Sequence, residues 1–260
     1  MIPLIEIKEK AVAEGVPETT VMKDYALSWM LKALNDVSEA FALKGGTGIR
    51  KAYVEGYRFS VDLDFTLTER VDVREVLLDA VRLARRESGI EFGEDLGLRS
   101  VRTGYEARVM FRLYYRFPMR IKIDVTTPEN EAIVLPLERR KLIHPYSDEC
   151  DALLLVYSLR EIFAEKVRSL FERTRPRDLY DVWYLSGMVE LEEAVPVIKR
   201  KFEHRGLELR IERFLERREV FRAAWAPSLE NQLRELPGFD RVFAEVERTL
   251  RTISKFVKKT

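Results

Sequence analysis

The stretch "ALKGGTGIRKAYVEGYRFSVDLDF", residues 42–65, decides how the first half of the chain is read. Its last residues open "SVDLDFTLT", residues 60–68, where Val61, Leu63, Phe65 and Leu67 alternate with Ser60, Asp62, Asp64 and Thr66. That is the periodicity of a strand with one apolar and one polar face. Upstream, "FALK" reads as a short strand entering Gly45-Gly46, and "TGIRKAY" as the first turns of a helix. A helix over 17–35 precedes this segment, with Val21, Tyr25, Ala26, Leu27, Met30 and Leu34 at helical spacing.

Working outward, residues 72–88 predict a helix that Asp72 caps, Glu75 supports through a capping box and Gly89 ends. A hairpin is expected next. In "ARVMFRLYYRF" the residues Val109, Phe111, Leu113, Tyr115 and Phe117 share a face, Pro118 turns the chain, and "MRIKIDVT" returns. In the returning strand Met119, Ile121, Ile123 and Val125 oppose Arg120, Lys122, Asp124 and Thr126. "RRKLIHPYSDECD" has loop character, and from residue 157 onward the periodicity is mainly helical. The expected class is α+β: an N-terminal domain, 1–140, of mixed β-sheet with helices, and an all-helical C-terminal domain, 141–260.

Composition narrows the function. The chain has 260 residues, 46% hydrophobic and 34% charged, with a net charge of +1. It is no polycation, so nucleic-acid binding requires local patches. The basic groups 82/85/86, 139–141, 210–218 and 255/258/259 are each interleaved with glutamate and read first as solvated helix faces; gathered around one cleft they could hold an RNA backbone. One cysteine, Cys150, excludes an internal disulfide and suits a reducing cytoplasm. His144 and His204 are too few for a histidine-rich metal site. The N-terminus is charged too early for a signal peptide, and "ALLLVYSL", 152–159, is too short to span a membrane.

Asp62 and Asp64, at i and i+2 of a strand, project from one face roughly 6–7 Å apart at the backbone. Like charges so close favour a cation between them. Magnesium (or manganese) prefers carboxylate oxygens and keeps positions open for phosphate. Asp124, on the polar face of a second strand, completes three carboxylates if the strands are neighbours. That is a ligand set for two-metal phosphoryl or nucleotidyl transfer. The alternative is a solvated strand face. Gly45 and Gly46 let backbone N–H groups approach a triphosphate, and Thr47 can add a hydroxyl; a tight turn is the plain alternative.

Together, "LKGGTGIRKAY", "RFSVDLDF", "IKIDV", "HPYSD" and "EIFAEKVRSLFERTRPRDLYDVW" resemble the AbiEii/AbiGii toxin family of nucleotidyltransferases, within the DNA polymerase beta-like superfamily, over about residues 20–190. Gly48 stands where alanine is common and Val61 where glutamate is common. The resemblance implies a metal-dependent enzyme that moves a nucleoside monophosphate from a nucleoside triphosphate to an acceptor. It further implies tRNA as the leading acceptor, at its 3′ end, and the toxin role of a type IV toxin–antitoxin pair with a cognate antitoxin. Transfer to a protein or small molecule, and an idle binding module, are the rival readings.

In the helix expected over 159–173, Leu159, Ile162, Phe163, Val167 and Leu170 form the apolar face, and Glu161, Glu165, Arg168 and Glu172 fall opposite. Lys166 sits within the apolar arc. It either snorkels or pairs with a buried acid, or it reaches across the domain boundary to nucleotide phosphates. The resemblance favours the last and makes an aspartate of "RDLYD" functional: Asp178 in preference to Asp181, although both also suit a helix N-terminus. Arg58 meets phosphate or is surface charge; Ser60 is a further substrate contact; Lys44 and Lys122 read equally as ordinary strand charges.

Overall fold

In the computed structural model, β1 (Phe41–Lys44) and β2 (Asp62–Leu67) lie side by side, antiparallel, with the glycine pair between them in sequence. The structure describes residues 1–259, and side chains through Val257, so Lys258 and Lys259 of the last basic group lie outside the described side chains. The chain forms two compact units. The first comprises residues 1–131 and 137–157, the second 132–136 and 158–260.

The first unit contains α1 (Leu4–Glu14), α2 (Glu18–Val37), β1, the short α3 (Gly45–Gly48) with a π-helical turn (Ile49–Tyr53), β2, and α4 (Val73–Ser88). There follow β3 (Glu91–Phe92), β4 (Arg99–Val101), β5 (Gly104–Arg112), β6 (Met119–Thr126), β7 (Glu138–Lys141) and β8 (Leu153–Val156). The strands make one mixed sheet in the order β3-β5-β6-β2-β1-β8-β7, with β4 pairing β5. β2 runs parallel to β6, and β1 parallel to β8. Leu63, Phe65, Val109, Phe111, Ile121 and Ile123 are buried, as their alternation requires. α2 and α4 pack on each other, and α2 packs on β6 and β8.

α4 starts as expected, the Asp72 carboxylate accepting from the N–H groups of Arg74 at 3.0 Å and Glu75 at 3.1 Å. Gly89 ends it at φ 73°, which glycine adopts without a Cβ penalty. Three expectations change. Residues 113–117 are not strand: β5 ends at Arg112, and Leu113–Pro118 form the hairpin's loop. The segment 138–156 is not all loop, because β7 and β8 pair and β8 joins β1, so the first unit extends past residue 140. α1 has no counterpart in the sequence reading.

The second unit is helical: α5 (Leu159–Glu172), α6 (Pro176–Leu185), α7 (Leu191–His204), α8 (Ile211–Leu215), α9 (Arg218–Leu229) and α10 (Phe239–Lys259). The Ser158 hydroxyl caps α5 by accepting from the Glu161 N–H. α5 is buried around its whole circumference from Glu161 to Phe171, so Glu161, Glu165 and Arg168 are not on a solvated face. Partners explain this. Glu161 accepts the N–H groups of Val134 and Leu135, each at 2.8 Å. Lys201 from α7, itself 0% exposed, meets Glu161 at 2.8 Å and Glu165 at 3.2 Å and donates to the Ala132 carbonyl. Among the described residues no helix is long and apolar enough to cross a membrane.

Candidate active site

The parallel pairing of β2 with β6 puts Asp64 opposite Asp124, and Asp62 opposite Lys122. Register partners share a face of the sheet. The expectation that the strand carrying Asp124 neighbours the Asp-x-Asp strand is therefore met, and the three aspartates share one polar face. The Asp124 carboxyl is raised above its ordinary value by burial, with the Asp64 charge adding and the Lys122 ammonium opposing. Lys122 Nζ lies 2.6 Å from Asp124 Oδ2, while Asp124 Oδ1 is buried with no hydrogen-bond partner.

The glycine pair sits against this face. Gly45 has φ +70°, and a Cβ there would lie 2.7 Å from Asp64 Oδ2. A Cβ on Gly46 would lie 2.7 Å from a guanidinium nitrogen of Arg58 and 3.0 Å from the Ser60 hydroxyl. The missing side chains thus admit Asp64 at the first glycine, and Arg58 and Ser60 at the second. Arg58 is buried, not surface charge, and its Nη1 donates to the Phe59 carbonyl at 3.2 Å. The Thr47 hydroxyl donates to the backbone carbonyl of Asp62 at 2.5 Å. In this structure it fastens the aspartate strand. Lys44 Nζ lies 3.4 Å from Glu131.

A network absent from the sequence reading supports this turn. Asp24, fully buried on α2, receives Arg50 Nε and Lys51 Nζ, each at 2.7 Å, and the Tyr146 hydroxyl at 2.8 Å. Arg50 also donates to the Tyr57 carbonyl and stacks 3.7 Å from the Phe59 ring centre. Burial alone would raise the Asp24 carboxyl; Lys51 and Arg50 outweigh it and hold it well below the usual carboxylate range. In "HPYSD", His144 Nε2 lies 2.9 Å from Asp148 and the Tyr25 hydroxyl donates to Asp148 at 2.6 Å. This motif is therefore part of the scaffold that holds α2. The signal available in sequence was Asp24 inside the apolar run of a helix.

In the second unit, Lys166 Nζ lies 2.8 Å from Asp178 Oδ1 and 2.8 Å from Asp181 Oδ2. Arg173 Nε adds a second cation to Asp178 at 2.8 Å. Burial pushes the Asp178 carboxyl up, and Lys166 and Arg173 overcome this, leaving it well below its ordinary value. The pairing of Lys166 with a buried acid, one of its two readings, is what the helix pair displays, and both candidate aspartates take part.

The family profile described as "Nucleotidyl transferase AbiEii toxin, Type IV TA system" matches residues 29–245, a span that includes the glycine pair, the three sheet aspartates and the Lys166–Asp178–Asp181 group, while Asp24 and Tyr25 precede it. The chain belongs to the AbiEii nucleotidyltransferase toxin family. No protein with a curated description matches it. Its fold is similar to MenT4, a nucleotidyltransferase toxin from Mycobacterium tuberculosis H37Rv, with a TM-score of 0.71 at 19% identity, covering 98% of this chain and 90% of that one. It is also similar to JHP933 from Helicobacter pylori, with a TM-score of 0.62 at 16% identity, covering 94% and 95%. At these identities the likeness speaks for the fold.

AbiEii-type nucleotidyltransferases generally use a divalent metal. Among the described residues no three His, Cys, Asp or Glu side chains are gathered as a ready metal cluster. The donor set on the sheet nonetheless fits such an ion. It offers carboxylate oxygens, which hard cations prefer, and the unpartnered, buried Asp124 Oδ1 is a vacant acceptor beside Asp64's register position.

Proposed function

We propose that this AbiEii toxin transfers a nucleoside monophosphate from a nucleoside triphosphate to the 3′ end of tRNA, with magnesium or manganese held by Asp62, Asp64 and Asp124. The observation that carries this reading is the Asp64–Asp124 register pairing with bare Gly45 against Asp64. A bound divalent ion would supply charge neutralisation at the triphosphate and its transition state. The chain's own residues do the rest. The backbone of Gly45 and Gly46, with Arg58 and Ser60 beside it, orients the phosphates. Thr47 fixes the strand that carries Asp62 and Asp64. The Asp124 carboxylate helps draw off the proton of the acceptor's 3′-hydroxyl as its oxygen attacks the α-phosphorus; the α–β bridging bond breaks and pyrophosphate leaves. Lys166 and Asp178 belong to the proposal as well: Lys166 neutralises phosphate charge, and Asp178 with Asp181 holds its ammonium in place. We place the reaction in a reducing cytoplasm, in keeping with the buried free thiol of Cys150.

Label transfer tests this. The protein is incubated with magnesium, each α-labelled nucleoside triphosphate in turn, and total RNA, with Asp62→Ala and Asp64→Ala in parallel. Label in the tRNA band that falls more than about a hundredfold in both variants is expected. Label on protein, or on another RNA, overturns the acceptor. Equal label in wild type and variants overturns the assignment of the carboxylates.

A further inference from the structure

The sheet face that carries the aspartates does not end at them. Across the β5–β6 pair, Arg108 lies opposite Lys122 and Met110 opposite Arg120, and one pleat further along β5 comes Arg112. Register partners and alternate residues share a face. A strip therefore leads from Asp62, opposite Lys122, through Arg108 and Arg120 to Arg112 and the hairpin loop. Arg108, Arg112 and Arg120 are exposed, as is Arg116 in the loop. Among the described residues none of these four lies within ion-pair distance of an acid, although the Arg108 charge acts on Glu106, two residues back on the same face.

Several arginines elsewhere on the molecule are paired. Arg82 is paired with Glu94 at 3.0 Å, Arg139 with Glu39 at 2.9 Å, and Arg218 and Arg222 share Asp240 at 2.7 and 2.6 Å. These four arginines are neutralised where they stand, whereas Arg85, Arg86 and Arg213, like the strip, have no ion pair among the described residues.

A second observation specifies the ligand. In the loop, the rings of Tyr115 and Phe117 stack with centroids 5.4 Å apart and planes 11° from parallel. Phe117 is 51% exposed. The Tyr115 hydroxyl donates to Glu18 at 2.7 Å, so the platform is anchored to α2 rather than loose. An exposed aromatic platform at the end of an unpaired arginine track is the arrangement that binds single-stranded nucleic acid, rings stacking bases and cations tracking phosphates. A protein partner recognised by charge alone would not need the rings.

We propose that Arg108, Arg112, Arg116 and Arg120, with the Tyr115–Phe117 stack, bind the single-stranded segment of an RNA acceptor and lead its 3′ end towards Asp62, Asp64 and Asp124. This rests on the acceptor's being RNA, and its test separates the two claims. The full-length protein is titrated with a fluorescent single-stranded 12-nucleotide RNA of mixed sequence, over a range of salt, as wild type, as Arg108→Ala/Arg116→Ala/Arg120→Ala, and as Phe117→Ala. Triphosphate binding and thermal melting are followed for each.

The triple variant is expected to bind RNA more than about tenfold more weakly, with a salt slope shallower by roughly 2. Phe117→Ala is expected to lose roughly tenfold with its slope unchanged. Triphosphate binding and melting stay as in wild type. RNA affinity unchanged in the triple variant, or no RNA binding by wild type, overturns the strip. An unchanged Phe117→Ala, with inorganic polyphosphate competing as well as RNA, overturns the single-strand assignment in favour of a general anion patch. Failure of label transfer to tRNA with strip-dependent RNA binding intact would instead sink the tRNA reading alone.

Discussion

Gly45 concentrates the candidate site's geometry in one missing methyl group. At φ +70° any L side chain is strained by about 1–2 kcal/mol, and here a Cβ would also press within 2.7 Å of Asp64 Oδ2. Gly45→Ala is therefore expected to melt only a few degrees below wild type yet to lose on the order of a hundredfold in label transfer. The comparison of melting with activity checks this, because a purely structural glycine would lose both in proportion. Cys150 is the opposite case, a residue whose chemistry is suppressed. It is 3% exposed, and burial pushes its thiol up to about 12, with the Asp148 charge adding. The thiolate is the reactive form. In the folded protein at pH 8, iodoacetamide should therefore label Cys150 far more slowly than in 6 M guanidinium, and mass spectrometry over time reads the difference.

At the scale of elements, the part visible in sequence is the part with a strong period. β2, β6, α4 and the turn after β1 follow from alternation, capping and the glycine pair, and so does the shared face of Asp62, Asp64 and Asp124 once the strands pair. What failed had a physical cause. Tyr115 and Phe117 continue the alternation of β5, but Phe117 is exposed and Tyr115 bonds Glu18, so the pattern ran on beyond the ladder. The burial of the charged side of α5 was not legible, because the lysine that neutralises Glu161 and Glu165 is Lys201, on another helix. Asp24 was missed because its partners, Arg50 and Lys51, lie 26 and 27 positions away. Its network ties α2 to the turn after Gly46. Removing one member of a buried pair costs about 3–5 kcal/mol, and Asp24→Asn leaves Lys51 1% exposed without its carboxylate. Urea unfolding of that variant should show a loss of this size. The acid limb follows by linkage. The folded Asp24 carboxyl lies below its ordinary value of 3.8, so its stabilisation is fully present above that value and is lost as pH falls towards the folded value. Between pH 5 and pH 2.5, Asp24→Asn should lose less stability than wild type.

Over the whole molecule, the path of the chain matters as much as its two units. It leaves the first unit at residue 131, gives residues 132–136 to the second, returns for 137–157, and re-enters the second at Ser158. A boundary placed by periodicity alone, at 140/141, passes over this, because five residues carry no period. Their role lies in their backbone. The N–H groups of Val134 and Leu135 satisfy Glu161, and the Ala132 carbonyl takes a hydrogen bond from Lys201. Glu161 and Lys201 are both 0% exposed in their side chains. A fragment of residues 158–260 keeps the Glu161–Lys201 pair but strips it of these three bonds. Each lost hydrogen bond to a buried charge is worth about 1.5–3 kcal/mol, against a domain stability of about 5–15 kcal/mol. The fragment alone is therefore expected to be mostly unfolded or to melt far below the full chain. Adding a synthetic peptide of residues 128–140 should raise its melting temperature in a concentration-dependent way, as binding to the folded state requires. The same peptide should leave a Glu161→Gln/Lys201→Met fragment unchanged. A fragment as stable without the peptide as with it would mean that residues 132–136 merely pass by and that the pair is sufficient by itself.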